Sequence, residues 1–395
     1  MANVIEASPE SNSRGHYLDI FLVSAAALLL EISYTRIISF KLFYYYTYLV
    51  IGLALLGIGT GGVIVAISKR LRGASTDVIL LWGSLTAALS VGIGYLVIAV
   101  TSFDTFAVWD YGTWASFTNI ARLLVICGAL FISFISVGVI IATLFARRPD
   151  RISRLYFADL IGAGLACAAV VYLLSSIGPP ATIFLAGSLL ALVGVRIAIR
   201  IRSRSLPVAV GLLVVLAVAT IKPAILPEQK LEASKVQVSE SDTDYSSWSP
   251  LFRVDVFSTP GNQRSLFHDG LLGSQIDEYN GDVKTLSRFS QDPRAFPFAA
   301  LGAPPNKELI IGAAGGHEIL ASLYFRAKNI DAVELNPVTH KLLTEVFADY
   351  AGNIAQDPRV NYVNDEGRSF LARQSGDYDL IWYPAPDSYS ASNAA

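Results

Sequence analysis

The sequence predicts an α-helical transmembrane bundle of about seven spans, then a small β region, then an α/β domain built on a parallel sheet. Three observations carry this reading. Hydrophobic residues fill 53% of the 395 positions and charged residues only 16%, and mean hydropathy is +0.49. The charges are sparse up to Leu226 and ordinary in density after it. Behind that point short apolar runs alternate with helical stretches, the signature of a parallel sheet with crossover helices.

A bilayer-spanning helix needs roughly 20 mostly apolar residues. Such runs cover residues 18–40, 44–67, 78–100, 120–145, 155–176, 181–195 and 206–221. The sixth is short, and a turn at Gly178-Pro179-Pro180 together with Arg196 marks its ends. The expected divisions are therefore a tail over 1–17, the bundle over 18–225, the β region and its connection over 226–305, and the α/β domain over 306–395. The first run is too long for a secretory leader and lacks a small-residue cleavage pattern. Cys127 and Cys167 lie inside apolar runs without metal-ligand or CxxC spacing, so both read as small apolar residues.

Basic residues orient the spans. Lys69, Arg70 and Arg72 follow the second; Arg147, Arg148, Arg151 and Arg154 follow the fourth; Arg196, Arg200, Arg202 and Arg204 follow the sixth. The alternate connections hold only Lys41, and the loop over 101–118 carries Asp104 and Asp110 with Trp109, Tyr111 and Trp114, residues suited to a membrane–water interface. The three basic loops and the N-terminus thus share the cytoplasmic side of what is expected to be a bacterial inner membrane. Seven spans place the C-terminal domain outside, whereas six or eight place it inside.

Within the spans, Glu31, Arg36 and Asp159 are candidates for a polar membrane site, because an ionisable group in hydrocarbon costs several kcal/mol unless it is paired or wet. Glu31 and Arg36 lie five positions apart, about 140° round the helix, so they need not pair directly. A structural hydrogen bond to a neighbouring helix explains each of the three as simply. Gly57, Gly59, Gly61 and Gly62, and Ala158, Gly162 and Ala166, offer small residues for close helix packing.

After Pro227, β-like runs at 236–238, 252–257 and 265–267 are separated by turns such as Pro260-Gly261-Asn262. Strands then follow at 308–312, 330–335, 360–363 and 379–383, with helices between them. The first strand leads into a turn of small residues, Gly312, Ala313, Ala314, Gly315 and Gly316, and a helix. Side chains this small let a nucleoside approach the backbone, and an acid ending the next strand about 20 residues on can accept hydrogen bonds from ribose hydroxyls. Glu334, 18 residues after Gly316, fits that role. The domain is therefore Rossmann-like, with a tight ligand-free β–α turn as the plain alternative. His317 reads as a solvated residue at a helix start, and neither His268 nor His340 has partners at metal spacing.

Residues 247–388 resemble the polyamine aminopropyltransferase (spermidine synthase) family, which has the class I methyltransferase fold, and in particular multi-pass membrane proteins carrying such a domain. The resemblance rests on Ser249-Pro250-Leu251-Phe252-Arg253-Val254, His268-Asp269-Gly270, the strand and turn over 309–316, Val333-Glu334-Leu335-Asn336-Pro337, Asp357-Pro358-Arg359-Val360, Glu366-Gly367-Arg368-Ser369-Phe370-Leu371 and Tyr378-Asp379-Leu380-Ile381. It implies an adenosyl ligand (S-adenosylmethionine, its decarboxylated form or methylthioadenosine) held at Gly312–Gly316, Glu334, Asn336, Glu366 and Gly367. In that pattern Glu334 meets the ribose and Glu366 lies near the adenine. The family's turn carries an aspartate where this one has no acid. Its fourth strand ends on the aspartate that deprotonates the attacking amine; here Pro384 stands in that place, and Asp387 is the nearest acid and the candidate catalytic residue. The family's glutamine after Ser-Pro-aromatic corresponds to Phe252. Its sheet has seven strands where four are legible here, an unfinished edge that a longer protein or another chain is expected to cover.

Three readings of function follow. One is a membrane-anchored transferase-like protein binding an adenosyl nucleoside. Another is a non-catalytic subunit whose domain is an interaction platform for other proteins. The third, a transporter built around Glu31, lacks repeat symmetry or a broken-helix pair. A net charge of −2 gives no basic stripe for nucleic acid, and no metal is expected.

Overall fold

The structure, a computed structural model, describes residues 15–237, 242–259 and 263–384. It divides into two compact units, Met1–Ser234 and Lys235–Ala395.

The first unit is helical: α1 (Gly15–Lys41), α2 (Thr47–Ile67), short α3 (Lys69–Gly73), α4 (Thr76–Val100), α5 (Trp114–Arg147), α6 (Ile152–Ser176), α7 (Gly178–Arg200) and α8 (Leu206–Ile221). Six of these, all but α3 and α8, are long and apolar enough to cross a membrane. The Gly178-Pro179-Pro180 segment, expected as a turn, is instead the first turn of α7. Proline suits that place because the missing N–H would have no intrahelical acceptor there, so the run that looked short is a 23-residue helix. The seventh run, α8, has 16 residues, about 24 Å at 1.5 Å per residue against a hydrocarbon core of about 30 Å.

Ion pairs fix which helix termini meet. Asp19, fully buried near the start of α1, accepts from Arg196 Nε at 3.1 Å and Arg200 Nη2 at 2.9 Å near the end of α7. Arg200 Nη1 also reaches Asp77 at the start of α4, at 3.2 Å. Arg147 at the end of α5 donates to the carbonyls of Leu71 and Ala74. All these termini form one end of the bundle, where the basic residues gather. The sequence reading passed over Asp19, because nothing in its neighbours shows that two arginines 177 and 181 residues away will meet it.

At the opposite end the chain is strapped down. Past α8 it runs beside α4: the Tyr95 hydroxyl donates to Pro227 O at 3.4 Å and Lys230 N–H to Ala99 O at 2.9 Å. Glu232 N–H then donates to Lys41 O at 2.8 Å, and Thr105 N–H to the Glu232 carboxylate at 3.1 Å. The fully buried Lys41 ammonium donates to the carbonyls of Ala99 and Lys230. These bonds satisfy backbone groups that a helix no longer serves, and they place the division between units at 234/235, beyond the expected 225.

Of the small residues, Gly57, Gly61 and Gly162 pack helices closely, whereas a Cβ on Gly59 would meet nothing within 4 Å. A Cβ on Gly61 would sit 2.5 Å from Val139 N of α5, and one on Gly162 would sit 2.3 Å from Phe21 O of α1.

In the second unit an antiparallel meander, β1 (Tyr245–Ser247), β2 (Val254–Thr259), β3 (Gln263–His268) and β4 (Leu271–Asp277), precedes a parallel sheet. The β3–β4 hairpin turns at Asp269-Gly270, both with positive φ, as a tight hairpin turn requires. The parallel strands are β5 (Glu308–Ile311), β6 (Ile330–Glu334), β7 (Val360–Asn364) and β8 (Leu380–Trp382), in the order β7-β6-β5-β8. Short α9 (Phe296–Leu301) precedes β5, and α10 (His317–Tyr324), α11 (Pro337–Lys341) and α12 (Gly367–Ala372) follow β5, β6 and β7. Val236 and Gln237 are not in a strand, and residue 238 lies outside the described residues. The meander and sheet share one apolar core: Phe252, Val254, Leu266 and Ile276 pack with Ile310, Leu320 and Leu342. Neither layer has enough apolar face to bury alone, so they close on each other.

Candidate functional site

The order β7-β6-β5-β8 reverses direction at β5, and in open α/β sheets ligands bind outside the carboxyl ends of the strands at that point. The turn Gly312–Gly316 leaves β5 there. Gly312 and Gly316 have φ of +84° and +83°, and Ala314 is left-handed at +40°. A non-glycine residue there costs roughly 1 kcal/mol and persists only where its surroundings hold it. Two groups hold Ala314. Its N–H donates to Glu334 Oε2 at 3.0 Å, and its carbonyl accepts from the Tyr362 hydroxyl at 3.1 Å.

Glu334 ends β6 and is buried. Its other oxygen accepts from Asn336 N–H at 2.7 Å. Burial pushes the carboxyl up to about 7, against the pull of its backbone donors. Each turn N–H has an internal partner: Gly312 and Ala313 donate to Val333 O, Gly315 to Ser274 Oγ and Gly316 to Ala313 O. The turn is therefore no anion cradle. What it offers is a stretch of half-buried backbone at Gly312 and Ala314 beside a carboxylate with lone pairs to spare, which suits hydroxyl donors better than a phosphate.

Asn336 is fully buried with both ends of its side chain engaged. Oδ1 caps α11 at Val338 N–H (2.9 Å), and Nδ2 donates to Ser249 Oγ at 3.0 Å. It thereby ties the Ser249-Pro250 loop to the sheet. Glu366 is exposed and caps α12, accepting from the N–H groups of Arg368 (2.8 Å) and Ser369 (2.7 Å). These donors hold its carboxyl below the usual range. A Cβ on Gly367 would lie 2.5 Å from Ile311 Cγ2, so α12 starts hard against the end of β5. The structure thus brings the turn, Glu334 and Gly367 to one edge of the sheet. Asp387 lies outside the described residues.

Two features escaped the sequence reading. The β4 backbone crosses directly over the turn, so that a Cβ on Gly315 would fall 2.0 Å from Gln275 O. His317, expected to be solvated, is buried, with Nδ1 2.7 Å from Asp277 Oδ2 and its ring edge-on to Phe289. Asp277 also takes Arg288 Nη2 at 2.6 Å, and His317 leads the groups that hold its carboxyl below the usual range against burial. Nothing in the residues around Asp277 signals which histidine it meets, since His317 lies 40 positions on and only folding brings the two together.

In the membrane unit the three polar candidates do not form one cluster. Asp159 accepts from Ser24 Oγ of α1, a hydrogen bond to a neighbouring helix, and Ser24 lies about 10 Å along α1 from Glu31. Arg36 is buried, whereas Glu31 is half-buried and its backbone carbonyl accepts from Thr35 Oγ1 at 2.8 Å.

No family model matches the chain. Among solved structures it is similar to a spermidine synthase in complex with the transition-state analogue AdoDATO, with TM-score 0.30 and 19% identity over 38% of this chain and 48% of that one. It is also similar to spermidine synthase from Thermotoga maritima, with TM-score 0.29 and 20% identity over 37% and 47%. Among curated proteins it matches polyamine aminopropyltransferases: that of Alkaliphilus oremlandii at 26% identity over 41% of this chain and 54% of the relative, and that of Streptococcus pneumoniae at 29% over 37% and 48%. The chain therefore spans about half the length of the curated relatives it matches. The resemblance read from the motifs is thus borne out: this chain, whose first part holds six apolar helices fit to span a membrane, is similar in sequence to polyamine aminopropyltransferases.

Proposed function

We propose that the chain is a membrane-anchored protein of the aminopropyltransferase type whose soluble unit binds an adenosyl nucleoside at the carboxyl edge of its sheet. The observation that carries this reading is the strained turn at Ala314, held by Glu334 and Tyr362. Glu334 receives the ribose hydroxyls, and the nucleoside approaches the backbone at the half-buried Gly312 and Ala314, the part of the turn that β4 leaves uncovered. S-adenosylmethionine, its decarboxylated form and methylthioadenosine share that nucleoside. Calorimetry with all three on the intact, detergent-solubilised chain tests the reading, and no binding to a folded preparation overturns it.

A second reading is a non-catalytic membrane subunit whose soluble unit recruits other proteins. It is favoured by the absence of an acid in Ala313–Gly316 and by Pro384 after β8. The strap at Lys41 and Ala99 also favours it, because the chain leaves the bundle at the end opposite the basic loops. With those loops in the cytoplasm, the soluble unit faces outward, away from cytoplasmic nucleosides. Purification in mild detergent then yields stable partner proteins, whereas a lone chain with turnover excludes this reading.

A further inference from the structure

At the basic end of the bundle, between the first turn of α1 and the connection from α5 to α6, lies a shallow groove open to its surroundings and lined by His16, Tyr17, Arg148, Arg151 and Leu155. Its charges are poorly matched from within. Arg148 meets no carboxylate among the described residues, and Arg151 has Asp150 at 3.4 Å, itself 66% exposed to solvent. His16 is drawn the other way, toward Asp19 at 3.4 Å and Asp77 at 3.7 Å. The Tyr17 hydroxyl is buried with no hydrogen-bond partner among the described residues. Two guanidinium forks and an orphan hydroxyl around one small space are donors in want of a tetrahedral oxyanion.

The surroundings decide which oxyanion. Leading away from the groove along α1 and α6 are Leu18, Ile152 and Tyr156, apolar side chains exposed by 43%, 49% and 54%. Leu155 adds an apolar side chain to the lining of the groove itself. A soluble phosphate would use the donors and leave that apolar track empty, whereas a phospholipid fills both. Basic pockets at helix ends on the cytoplasmic side suit anionic headgroups, whose lipids are concentrated there. We propose that this groove binds the phosphate headgroup of an anionic phospholipid, with its acyl chains lying along α1 and α6. The site is independent of any nucleoside at the soluble unit.

The test uses the full chain in a neutral detergent, titrated with short-chain phosphatidylglycerol, short-chain phosphatidylcholine, glycerol phosphate and inorganic phosphate. Thermal stability and lipid retention by native mass spectrometry are the readouts. Phosphatidylglycerol is expected to protect and to be retained, phosphatidylcholine much less, and the two soluble phosphates only at far higher concentration. Arg148→Gln with Arg151→Gln is expected to weaken phosphatidylglycerol binding by roughly thirtyfold, the worth of two interfacial arginines. Tyr17→Phe, which keeps the packing, is expected to weaken it by roughly threefold to tenfold, the worth of one hydrogen bond. Arg204→Gln, at an exposed basic residue of the same end, serves as the control and should leave it unchanged. Equal protection by both lipids, equal protection by inorganic phosphate, or a loss in Arg204→Gln as large as in the double variant overturns the proposal.

Discussion

The nucleoside reading makes a sharp claim about pH, because Glu334 is both the proposed ribose acceptor and a group with a displaced titration. Burial pushes its carboxyl up to about 7, from an ordinary value of 4.5, so near neutrality the ligand-free protein is an even mixture of acid and carboxylate. Ribose hydroxyls donate to the ionised form and stabilise it, as the N–H groups of Ala314 and Asn336 already do. Binding then releases a proton, and affinity rises with pH until Glu334 is fully ionised. With only the carboxylate competent, the competent fraction is about 0.1 at pH 6, 0.5 at pH 7 and 0.9 at pH 8. The dissociation constant is therefore expected to fall about tenfold between pH 6 and pH 8 and to level off above that. Methylthioadenosine is the suitable ligand, since it lacks the titrating amino-acid end of S-adenosylmethionine. Calorimetry at pH 7 in buffers of different ionisation enthalpy should show about half a proton released per site. Glu334→Gln keeps the volume but loses the charge. It is expected to weaken binding by about tenfold to a hundredfold, the range for a hydrogen bond to a charged group, and to flatten the pH profile. Binding by the intact protein that is independent of pH from 6 to 8, or that survives Glu334→Gln unchanged, refutes the reasoning.

Other outcomes follow from the same structure. Glu308 is fully buried at the start of β5 with, among the described residues, only Ser322 Oγ donating to its carboxylate, and burial pushes it up to about 7. Its favourable contribution is therefore complete below pH 4.5 and lost as pH rises through about 7. Glu308→Gln should leave thermal stability at pH 4.5 little changed and raise it at pH 8, by up to about 3 kcal/mol, as read by differential scanning calorimetry. Gly315→Ala pushes a methyl into Gln275 O, and should cost several kcal/mol or displace β4, seen as a lowered melting temperature and lost nucleoside binding. Single cysteines at the exposed Ser258 and Ser287, with Cys127 and Cys167 replaced, report the side of the soluble unit. Labelling of intact cells by an impermeant thiol reagent would favour the non-catalytic subunit reading, and protection until lysis would favour the nucleoside reading.

Much of this architecture was legible in the chain itself. Hydrocarbon tolerates neither charge nor unpaired backbone, so a long apolar run has few choices besides a helix, and the runs beginning at Leu18, Tyr44 and Val78 emerged as helices close to their expected bounds. The alternation after Glu308 worked for a similar reason: strand, small-residue turn, helix and acid are local signals, and Gly312, Gly316 and Glu334 fell where the pattern put them. What stayed hidden was whatever depended on distant groups meeting. Asp19 gives no sign of Arg200, Asp277 none of His317, and Ala314 none of the Tyr362 hydroxyl that helps to hold its left-handed backbone. Local chemistry sets which conformations a segment can take. Only packing decides which polar groups lose water together, and a buried group must find its partner wherever the fold delivers one. For the same reason the strap at Lys41 could not be read from the sequence, although it fixes the end at which the chain leaves the bundle.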